Sequence, residues 1–464
     1  MMNRIYIKNL NDYKGKEVMI CGSVDVRRDQ GKLIFLDFRD VTGKVQGVIL
    51  PNAKEAHAVG VELRPEWVVR VKGKVNTRPE KNVQKDKMNG DIELEIVGIE
   101  VLNKAVTPVF DIHENGIEIN EEVRLKHRYL DLRRPRLQKN IANRHKVLLH
   151  IRNLFSKEGF TEIETPLLSA TTPEGSRDFI VPSRLERGSF YSLPQSPQQY
   201  KQLLMASGFE KYFQIARCMR DEDTRGDRQP EFTQLDMEMS FVEQKDVMSC
   251  NEKVILDIIK TLYPKKEIDS EKVPVMTYGE VMKKYGTDKP DIRKNKNNPN
   301  ELALLWVVDF PMFEKDDRGK WTFTHNPFSA PKPEFMDDLL NQRNIGNILT
   351  TQYDLVINGS EIGGGSIRNH DPEALKAVFK IMGYDDEKIE KDFGHMLHAL
   401  SSGTPPHGGM AWGFDRLMMI LQNEPNIREV IPFPKTGEGR DPMMGAPGKI
   451  SEEQLKELGI DIKG

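Results

Sequence analysis

The sequence predicts an α+β protein in which a small N-terminal β-barrel precedes a larger domain, built on an antiparallel β-sheet flanked by helices. Three patterns support this prediction. Residues 17–102 hold five short β-rich runs, residues 214–241 hold two alternating strands around a charged loop, and amphipathic helices are indicated at 141–158 and 245–262. An all-β segment followed by a mixed one is typical of separate domains.

Length and composition indicate a soluble globular protein. The 464 residues suffice for two or three domains, and 38% of them are apolar. We expect a cytosolic protein without membrane spans, because no signal peptide and no uninterrupted apolar stretch of roughly 18 residues is present. The net charge of −3 excludes wholesale nucleic-acid coating, and three scattered cysteines are too few for a disulfide framework or a zinc cluster.

The N-terminal part has the strand order of an OB-fold barrel. Its β-rich runs are separated by turn signals at residues 40–43 and 89–90, and a helical segment at 53–63 lies between the third and fourth runs. The second run carries Phe35, with Arg28 just before it, and a basic residue beside an aromatic ring is suited to binding unpaired bases. The alternative is that Phe35 is ordinary barrel core and the arginine only aids solubility.

A connector follows at residues 106–140, where periodicity is weak, and we expect a hinge or linker there. The strongest basic run of the chain begins within it and extends to residue 146, with Asp131 as its single acid. Its basic members are Arg124, Lys126, Arg128, Arg133, Arg134, Arg136, Lys139, Arg144 and Lys146. Contact with nucleic-acid phosphates and a solvated interdomain surface are both compatible with this composition.

The hairpin of residues 214–241 is the most informative stretch of the larger domain. Its returning strand alternates apolar residues with Gln234, Asp236 and Glu238, so one face of the hairpin is polar. The loop between the strands is crowded with charge, whereas a structural hairpin needs only a short turn. A polyanion site and a solvated surface loop are the two interpretations of this loop.

Two later segments add candidate ligand-binding groups. Asp354 lies on an apolar strand and Glu361 precedes three glycines, so that two carboxylates on adjoining strands could share a divalent cation; a β-bulge or turn is the alternative reason for the glycines. Farther on, a glycine-rich strand enters a helix whose first turn holds Asp415 and Arg416, which is a natural anion site. Neither a Walker loop nor a dinucleotide-binding glycine pattern is present, so a nucleotide would bind on antiparallel sheet between arginines.

Taken together, these segments resemble the class II aminoacyl-tRNA synthetases, and among them the aspartyl-tRNA synthetases of bacterial type. FTEIETPLL is similar to the first motif of the class, the hairpin to the second and GMAWGFDRLMMIL to the third. Family-specific stretches agree: RYLDLRRP, TPEGSRDF, LPQSPQQYKQLL, YGTDKPDIR, INGSEIGGGSIR and GTPPHGGMAWGFDRL. The resemblance extends from the barrel to Pro434.

The resemblance implies a class II catalytic domain at residues 141–464, an anticodon-binding OB-fold at 1–105 and a hinge at 106–140. It also implies a cytoplasmic, Mg²⁺-dependent ligase that activates L-aspartate with ATP and charges tRNA(Asp), and a homodimer formed through the region around Pro166. No strong proton acceptor is required, because activation joins two anions and catalysis therefore rests on alignment and cation contacts.

The resemblance assigns roles to individual residues of this sequence. Arg220, Glu222 and Arg416 match catalytic positions. The matches to aspartate-binding positions are Glu174, Ser196, Gln198, Lys201, Arg220, Gln234, His325 and Arg368. The matches to ATP-binding positions are Arg220, Asp221, Glu222, Gln229, Glu361, Gly413, Phe414, Asp415 and Arg416. Asp354 and Glu361 match metal ligands, and Arg28, Phe35 and Gln46 are the expected anticodon contacts.

The sequence departs from the family pattern at two places. The domain that bacterial members carry between the second and third motifs is expected to be absent here, with a short linker at residues 294–302 in its place, and the usual pair of adjacent histidines is His325-Asn326. Three alternatives stay open: an enzyme that charges both tRNA(Asp) and tRNA(Asn) with aspartate, an asparaginyl or lysyl relative, and a non-catalytic RNA-binding paralogue.

Overall fold

The computed structural model describes residues 3–171, 175–270 and 272–463. It divides into two compact units, Met1–Ile112 and His113–Gly464, while the predicted domain limits at 105 and 140 stay predictions. The strands are β1 Glu17–Asp29, β2 Ile34–Asp40, β3 Gly43–Ile49, β4 Val68–Thr77, β5 Ile92–Asn103, β6 Thr161–Glu162, β7 Ile180–Pro182, β8 Phe190–Ser192, β9 Lys211–Met219, β10 Glu231–Ser240, β11 Glu267–Ile268, β12 Val275–Thr277, β13 Glu301–Leu302, β14 Leu304–Val308, β15 Phe313–Lys315, β16 Trp321–Phe323, β17 Tyr353–Ile357, β18 Ser360–Ile367 and β19 His407–Gly413. The helices are α1 Lys54–Glu62, α2 Glu121–Lys126, α3 Arg128–Asp131, α4 Pro135–Lys157, α5 Gln198–Ala206, α6 Gln244–Leu262, α7 Tyr278–Tyr285, α8 Met336–Leu340, α9 Pro372–Ile381, α10 Asp386–Ser401, α11 Phe414–Leu421 and α12 Glu452–Leu458.

The first unit is the predicted OB-type barrel. Its five strands close in the order β1-β2-β3-β5-β4, with α1 between β3 and β4. Along β2, Ile34, Leu36 and Phe38 point into the barrel core, whereas Phe35 lies half-buried on the outer face and pairs across the strands with Arg28. The alternative that places Phe35 in the core is therefore wrong.

The second unit is built on an eight-stranded sheet in the order β12-β14-β17-β18-β19-β10-β9-β6. The six central strands are antiparallel, but the edge pairs β12–β14 and β6–β9 are parallel. The helix-flanked sheet is confirmed, with the correction that it is mixed rather than wholly antiparallel. Each parallel pair follows from a long connection that returns the chain in the same direction, and such a crossover cannot be read from strand periodicity.

The two faces of this sheet differ in chemistry. One face packs on α4, α6 and α11, and the main hydrophobic core forms there with Leu235 and Met237 of β10. The opposite side of β10 carries Gln234, Asp236 and Glu238, all of them buried. The predicted polar face of the hairpin is confirmed, and it is enclosed by protein instead of lying in solvent.

Three arginines of the basic run lie inside the second unit and not on a phosphate-binding surface. Arg124, Arg128 and Arg134 are buried and converge on Asp131, with nitrogen–oxygen distances of 3.3, 2.7 and 2.7 Å. Arg124 also binds Glu429, at 2.8 Å between Nη2 and Oε1. The interpretation as a phosphate contact is wrong for these arginines, because acidic partners inside the second unit neutralise them.

Replacing Glu429 with glutamine tests this buried cluster. Burial alone would raise the pKa of Glu429, but Arg124 and Arg136 outweigh it and lower that pKa from 4.5 to about 2. The unfolded chain therefore takes up the proton first, so the carboxylate stabilises the fold above pH 4.5 and loses this effect as the pH falls towards 2. We expect Glu429→Gln to cost about 3–5 kcal/mol of unfolding free energy at pH 7.

The measurements are denaturant unfolding at pH 7 and thermal unfolding between pH 7 and 3. The difference in unfolding temperature between the variant and the wild type should become smaller as the pH falls. Glu162→Gln, which removes a partly exposed ion pair with Arg152, is the control and should change the unfolding free energy by no more than about 1 kcal/mol. An equal effect of both substitutions would contradict the buried cluster's role.

One further expectation concerns the connection at residues 294–302. Residues 294–302, where an inserted domain is expected to be missing, form a short connection in which the backbone N–H groups of Lys294 and Asn295 donate to the Glu301 carboxylate at 2.6 and 3.0 Å.

Across the residues described, no helix is both long and apolar enough to cross a membrane.

Candidate active site

A cavity of about 310 Å³ lies on the polar face of the eight-stranded sheet. Its walls are the starts of α5 and α11, the strands β10, β17, β18 and β19, and the loop between β9 and β10. The predicted site residues that line it are Ser196, Gln198, Lys201, Arg220, Glu222, Gln229, Gln234, His325, Asp354, Glu361, Arg368, Gly413, Asp415 and Arg416. The fold therefore gathers candidates that are up to 220 positions apart in the chain.

One end of the cavity is a closed set of buried charges. The Lys201 ammonium lies 2.6 Å from Asp236 Oδ1 and 3.3 Å from Glu238 Oε2. Arg368 donates from Nε and Nη2 to the two oxygens of Glu238, at 2.7 and 3.1 Å, and from Nη1 to Ser366 at 2.9 Å. Two cations thus face two carboxylates in a water-poor setting.

The pKa values of the two carboxylates are shifted in opposite directions. Burial would raise the pKa of Glu238, but Arg368 and Lys201 outweigh it and lower that pKa to about 2. Burial raises the pKa of Asp236 above its ordinary value, and Lys201 only partly opposes this. The sequence placed Asp236 and Glu238 on the polar face by their alternation but gave them no role, and this alternation was the signal that could have identified them.

Arg220 keeps its terminal nitrogens free of partners among the described residues. Its guanidinium lies over the ring of Phe232, 5.2 Å from the ring centroid, and its Nε donates to the carbonyl oxygen of Gln195 at 3.4 Å. Within the described ranges, no carboxylate lies at ion-pair distance from it. The aromatic ring and the carbonyl hold the group in place, so an anion could bind without first displacing a counter-ion.

The other end of the cavity suits a nucleotide. The buried Gln229 accepts a hydrogen bond from the Lys435 backbone at 2.8 Å, and its Nε2 has no protein partner in the described part of the chain. Glu222 contacts Ser176 through one oxygen and Arg228 through the other, at 2.6 Å. Arg416 donates to the carbonyl oxygen of Glu361. Free donors beside an arginine are the groups that bind phosphates and bases.

A β-bulge brings the two candidate metal ligands to one face. The pairing of β17 with β18 shifts between Leu355, which pairs with Gly363, and Val356, which pairs with Glu361. Without the extra residue, Glu361 and Gly364 would point to opposite faces, because successive strand residues alternate. With it, Glu361 faces the cavity together with Asp354, so the bulge is present and does not exclude a cation shared by these two carboxylates.

The charge state of Asp354 depends on these neighbours. Burial raises its pKa well above the ordinary value, and the nearby Glu361 raises it further. His325 Nε2 lies 3.7 Å from Asp354 Oδ2, and burial lowers the pKa of this histidine. A divalent cation between the two carboxylates would oppose this rise in the pKa of Asp354 and favour its ionised form.

Gly364 makes room for Asp354. A Cβ at this position would lie 2.6 Å from Asp354 Oδ1, whereas one at Gly363 would meet the Ala411 carbonyl oxygen at 2.5 Å. None of the three glycines has a positive φ. The triplet therefore serves close packing within the sheet as well as space for a carboxylate.

Three predicted residues have other positions or contacts. Phe414 is fully buried in the hydrophobic core, and Asp221 lies outside the cavity, where its backbone bonds to Arg177. The geometry gives neither side chain an ATP contact. Asp415 lines the cavity, but Arg144 and the Thr233 N–H occupy its two oxygens, the latter at 2.8 Å. Glu174 lies outside the described residues.

Comparison with known proteins assigns both units to a family. The family described as tRNA synthetases class II (D, K and N) matches residues 120–437, and the OB-fold nucleic acid binding domain matches residues 18–102. An aspartate–tRNA(Asp/Asn) ligase from Hydrogenobaculum sp. is 39% identical, with all of both chains covered. This chain belongs to the aspartyl-tRNA synthetase family. The predicted class II aminoacyl-tRNA ligase is thereby confirmed.

Other relatives of the aspartyl-tRNA synthetase family agree. An aspartate–tRNA(Asp/Asn) ligase from Endomicrobium trichonymphae is 38% identical over 96% of this chain and 97% of its own, and an aspartate–tRNA ligase from Listeria welshimeri is 37% identical over 98% of each. The alignment with the Hydrogenobaculum relative spans 597 positions, so that relative contains residues that the 464-residue chain lacks.

Solved structures share the fold of this synthetase. An asparaginyl-tRNA synthetase from Pyrococcus horikoshii has a TM-score of 0.74 at 22% identity, covering 94% of this chain and 99% of its own. A putative aspartyl-tRNA synthetase from Leishmania major has a TM-score of 0.75 at 20% identity, covering 93% and 94%. These likenesses confirm the two-part α+β architecture.

Proposed function

We propose that this synthetase joins L-aspartate to ATP, forms an aspartyl-adenylate and transfers the aspartyl group to tRNA(Asp). The observation that carries the proposal is Arg220, a fixed guanidinium that has no carboxylate at ion-pair distance among the described residues. It lines the same cavity as the paired cations Lys201 and Arg368 and the nucleotide candidates Gln229 and Arg416. The names of the curated relatives support aspartate as the amino acid.

The first step needs charge neutralisation more than proton transfer. An oxygen of the aspartate α-carboxylate attacks the α-phosphorus of ATP, and the bond to pyrophosphate breaks. The carboxylate is already ionised at neutral pH, so no base has to remove a proton. Arg220 binds both the carboxylate and the α-phosphate and reduces their repulsion, while Arg416 binds the terminal phosphate. In the second step a hydroxyl at the tRNA 3′ end attacks the carbonyl carbon of the aspartyl group, the bond from that carbon to the phosphate oxygen breaks, and AMP leaves with the hydroxyl proton on its phosphate.

The buried charges give the choice of aspartate. Lys201 and Arg368 bind the side-chain carboxylate of the substrate. The lysine supplies a point charge and the arginine a planar fork of donors, and both suit an anion. Asparagine would leave these cations less neutralised, and a rejection of about 10⁴-fold is expected without editing. Ser196, Gln198 and Gln234 surround the amino group and α-carboxylate of the substrate in this proposal.

Asp354 and Glu361 would hold Mg²⁺ together with oxygens of ATP. The ion supplies neutralisation of phosphate charge. Gly364→Ala tests this arrangement, because its Cβ displaces the Asp354 carboxylate. We expect the Mg²⁺ concentration for half-maximal pyrophosphate exchange to rise about 10- to 100-fold. Gly279→Ala, where a Cβ has open space, is the control, and an unchanged Mg²⁺ requirement in Gly364→Ala would contradict the proposal.

The barrel would bind the anticodon on its outer face. Arg28 is paired with Asp37 there at 3.0 Å, and Gln46 accepts a hydrogen bond from Arg78 at 2.6 Å. Phe35 lies between Arg28 on β1 and Val48 on β3, half-buried and available for stacking.

Phe35→Ala should lower aminoacylation about 10-fold or more through the loss of one base stack, and leave ATP–pyrophosphate exchange unchanged. Steady-state aminoacylation with varied tRNA, beside exchange without tRNA, gives the two readouts. A variant that loses both activities, or neither, would contradict a role in anticodon stacking.

Relatives named for tRNA(Asp/Asn) favour a second candidate, an enzyme that also aspartylates tRNA(Asn). Purified tRNA(Asp) and tRNA(Asn) should be charged side by side. Charging of tRNA(Asp) alone identifies a discriminating enzyme, comparable kcat/KM on both identifies the relaxed one, and charging of neither contradicts the proposed function.

We further propose a homodimer formed through the segment after β6, where Leu167 and Leu168 are exposed apolar residues beside Pro166. Light scattering in solution tests it, and a monomeric mass would contradict it. A cytoplasmic location follows from the proposed substrates, since charged tRNA is consumed by ribosomes.

A further inference from the structure

The loop between β9 and β10 places a carboxylate on the arginine proposed to bind the terminal phosphate. Arg416 Nη2 lies 3.3 Å from Asp227 Oδ2 at the cavity wall. Nη1 of the same guanidinium donates to the carbonyl oxygen of Glu361, which fixes the direction of the group. The Glu361 carbonyl therefore contacts one terminal nitrogen of Arg416, and Asp227 contacts the other.

Asp227 is presented by a defined turn. Arg225 and Arg228 exchange backbone hydrogen bonds of 3.0 and 3.2 Å, so that Gly226 and Asp227 form a two-residue hairpin tip. The carbonyl oxygen of Gly226 accepts a hydrogen bond from the Ile427 N–H at 2.9 Å, which anchors the tip beyond α11. These backbone hydrogen bonds thus hold the tip in the place where the Asp227 side chain reaches Arg416.

We propose that Asp227 substitutes for a phosphate oxygen on Arg416 in the nucleotide-free enzyme and that ATP must displace it to bind. This inference rests on the proposed function, in which Arg416 binds the terminal phosphate. A carboxylate and a phosphate both present anionic oxygens to a guanidinium, and the repulsion between their like charges disfavours binding of both to the same nitrogen. The Asp227 carboxylate keeps Arg416 oriented when ATP is absent. Because ATP has to displace it, the carboxylate also raises the apparent dissociation constant of ATP.

The expected size of the effect is modest. The Asp227 side chain is 45% exposed and that of Arg416 is 22% exposed, so water already screens the pair. An ion pair of this exposure changes an equilibrium by a few-fold, and we expect Asp227 to weaken ATP binding by about two- to five-fold.

The test is calorimetric titration of ATP into the free enzyme, with wild type, Asp227→Asn, Asp227→Ala and Asp223→Asn. Asp223 lies exposed in the same loop, and within the described chain it makes no ion pair or side-chain hydrogen bond, so Asp223→Asn removes an equal charge without the contact. Both Asp227 variants should bind ATP about two- to five-fold more tightly, and Asp223→Asn should bind like wild type.

Unchanged or weaker binding of ATP by the Asp227 variants would overturn the inference, as would an equal gain in Asp223→Asn, which would trace the effect to net loop charge. Either result leaves the proposed function standing, provided that the wild type binds ATP and catalyses aspartate-dependent exchange. A wild type that binds no ATP would overturn both. Thermal unfolding of each variant verifies that the fold is retained.

Discussion

Replacing Arg220 with alanine is expected to lower aspartate-dependent ATP–pyrophosphate exchange by about two orders of magnitude or more. Loss of one fixed donor to developing charge typically has an effect of this size. Arg220 is held over Phe232 and by the Gln195 carbonyl, and among the described residues no carboxylate lies at ion-pair distance, so its removal should leave the fold intact. Exchange at saturating ATP and aspartate is the measurement.

Arg225→Ala is the matched control for this prediction. Arg225 is an exposed arginine in the same loop, and its side chain does not line the cavity. Its removal should change exchange by less than about two-fold. Comparable losses in Arg220→Ala and Arg225→Ala, or undiminished exchange in Arg220→Ala, would exclude the assigned role.

The second large effect concerns the amino-acid end of the cavity. Arg368→Lys should reduce kcat/KM for aspartate by about 10²- to 10³-fold, because a single ammonium cannot replace the two parallel hydrogen bonds to Glu238. The Glu238 carboxylate and the substrate carboxylate would then share too little positive charge. Exchange measured against aspartate concentration gives kcat/KM, and direct titration with ATP should show that the nucleotide still binds.

Ser366→Ala serves as the comparison. It removes the 2.9 Å hydrogen bond from Arg368 Nη1 and the 2.9 Å hydrogen bond from Ser329 Oγ, and the paired contacts of Arg368 with Glu238 remain. We expect a smaller loss than in Arg368→Lys, about ten-fold, because Arg368 keeps its charge and both hydrogen bonds to Glu238. If Arg368→Lys bound aspartate normally, the charge-pair account of specificity would fail.

Local patterns predicted the parts of the fold that depend on local rules. Period-two alternation identified the barrel strands and the polar face of β10. The helix predicted at 245–262 is α6, Gln244–Leu262, which begins with a capping box between Glu243 and Asp246. These features are set by residues within a few positions of one another, so a single sequence contains the information.

Long-range pairing was beyond such patterns. The ion pair of Arg124 with Glu429 joins residues 305 positions apart, and no spacing in the basic run indicates that its arginines turn inward. Helix α4 begins at Pro135 rather than near 141, because proline suits the first helical position even though the polar residues after it hide the periodicity.

In the candidate site, too, local motifs were predictable from the sequence and contacts between distant residues were not. Motif resemblance predicted about half of the cavity lining, but it matched Phe414 to an ATP-binding position although that ring is in the hydrophobic core. It also left Asp227 without a role and gave none to the carboxylates of Asp236 and Glu238. Counter-charges are a property of the assembled cavity, in which burial decides which cations are already neutralised.

The central claim is that this synthetase activates aspartate at Arg220. ATP–pyrophosphate exchange by the wild type, with aspartate, asparagine and lysine as alternative amino acids and without tRNA, tests it most directly. We expect rapid ATP–pyrophosphate exchange with aspartate and a kcat/KM that is about 10⁴-fold lower with asparagine. Absence of exchange with aspartate, or equal exchange with asparagine, would contradict it.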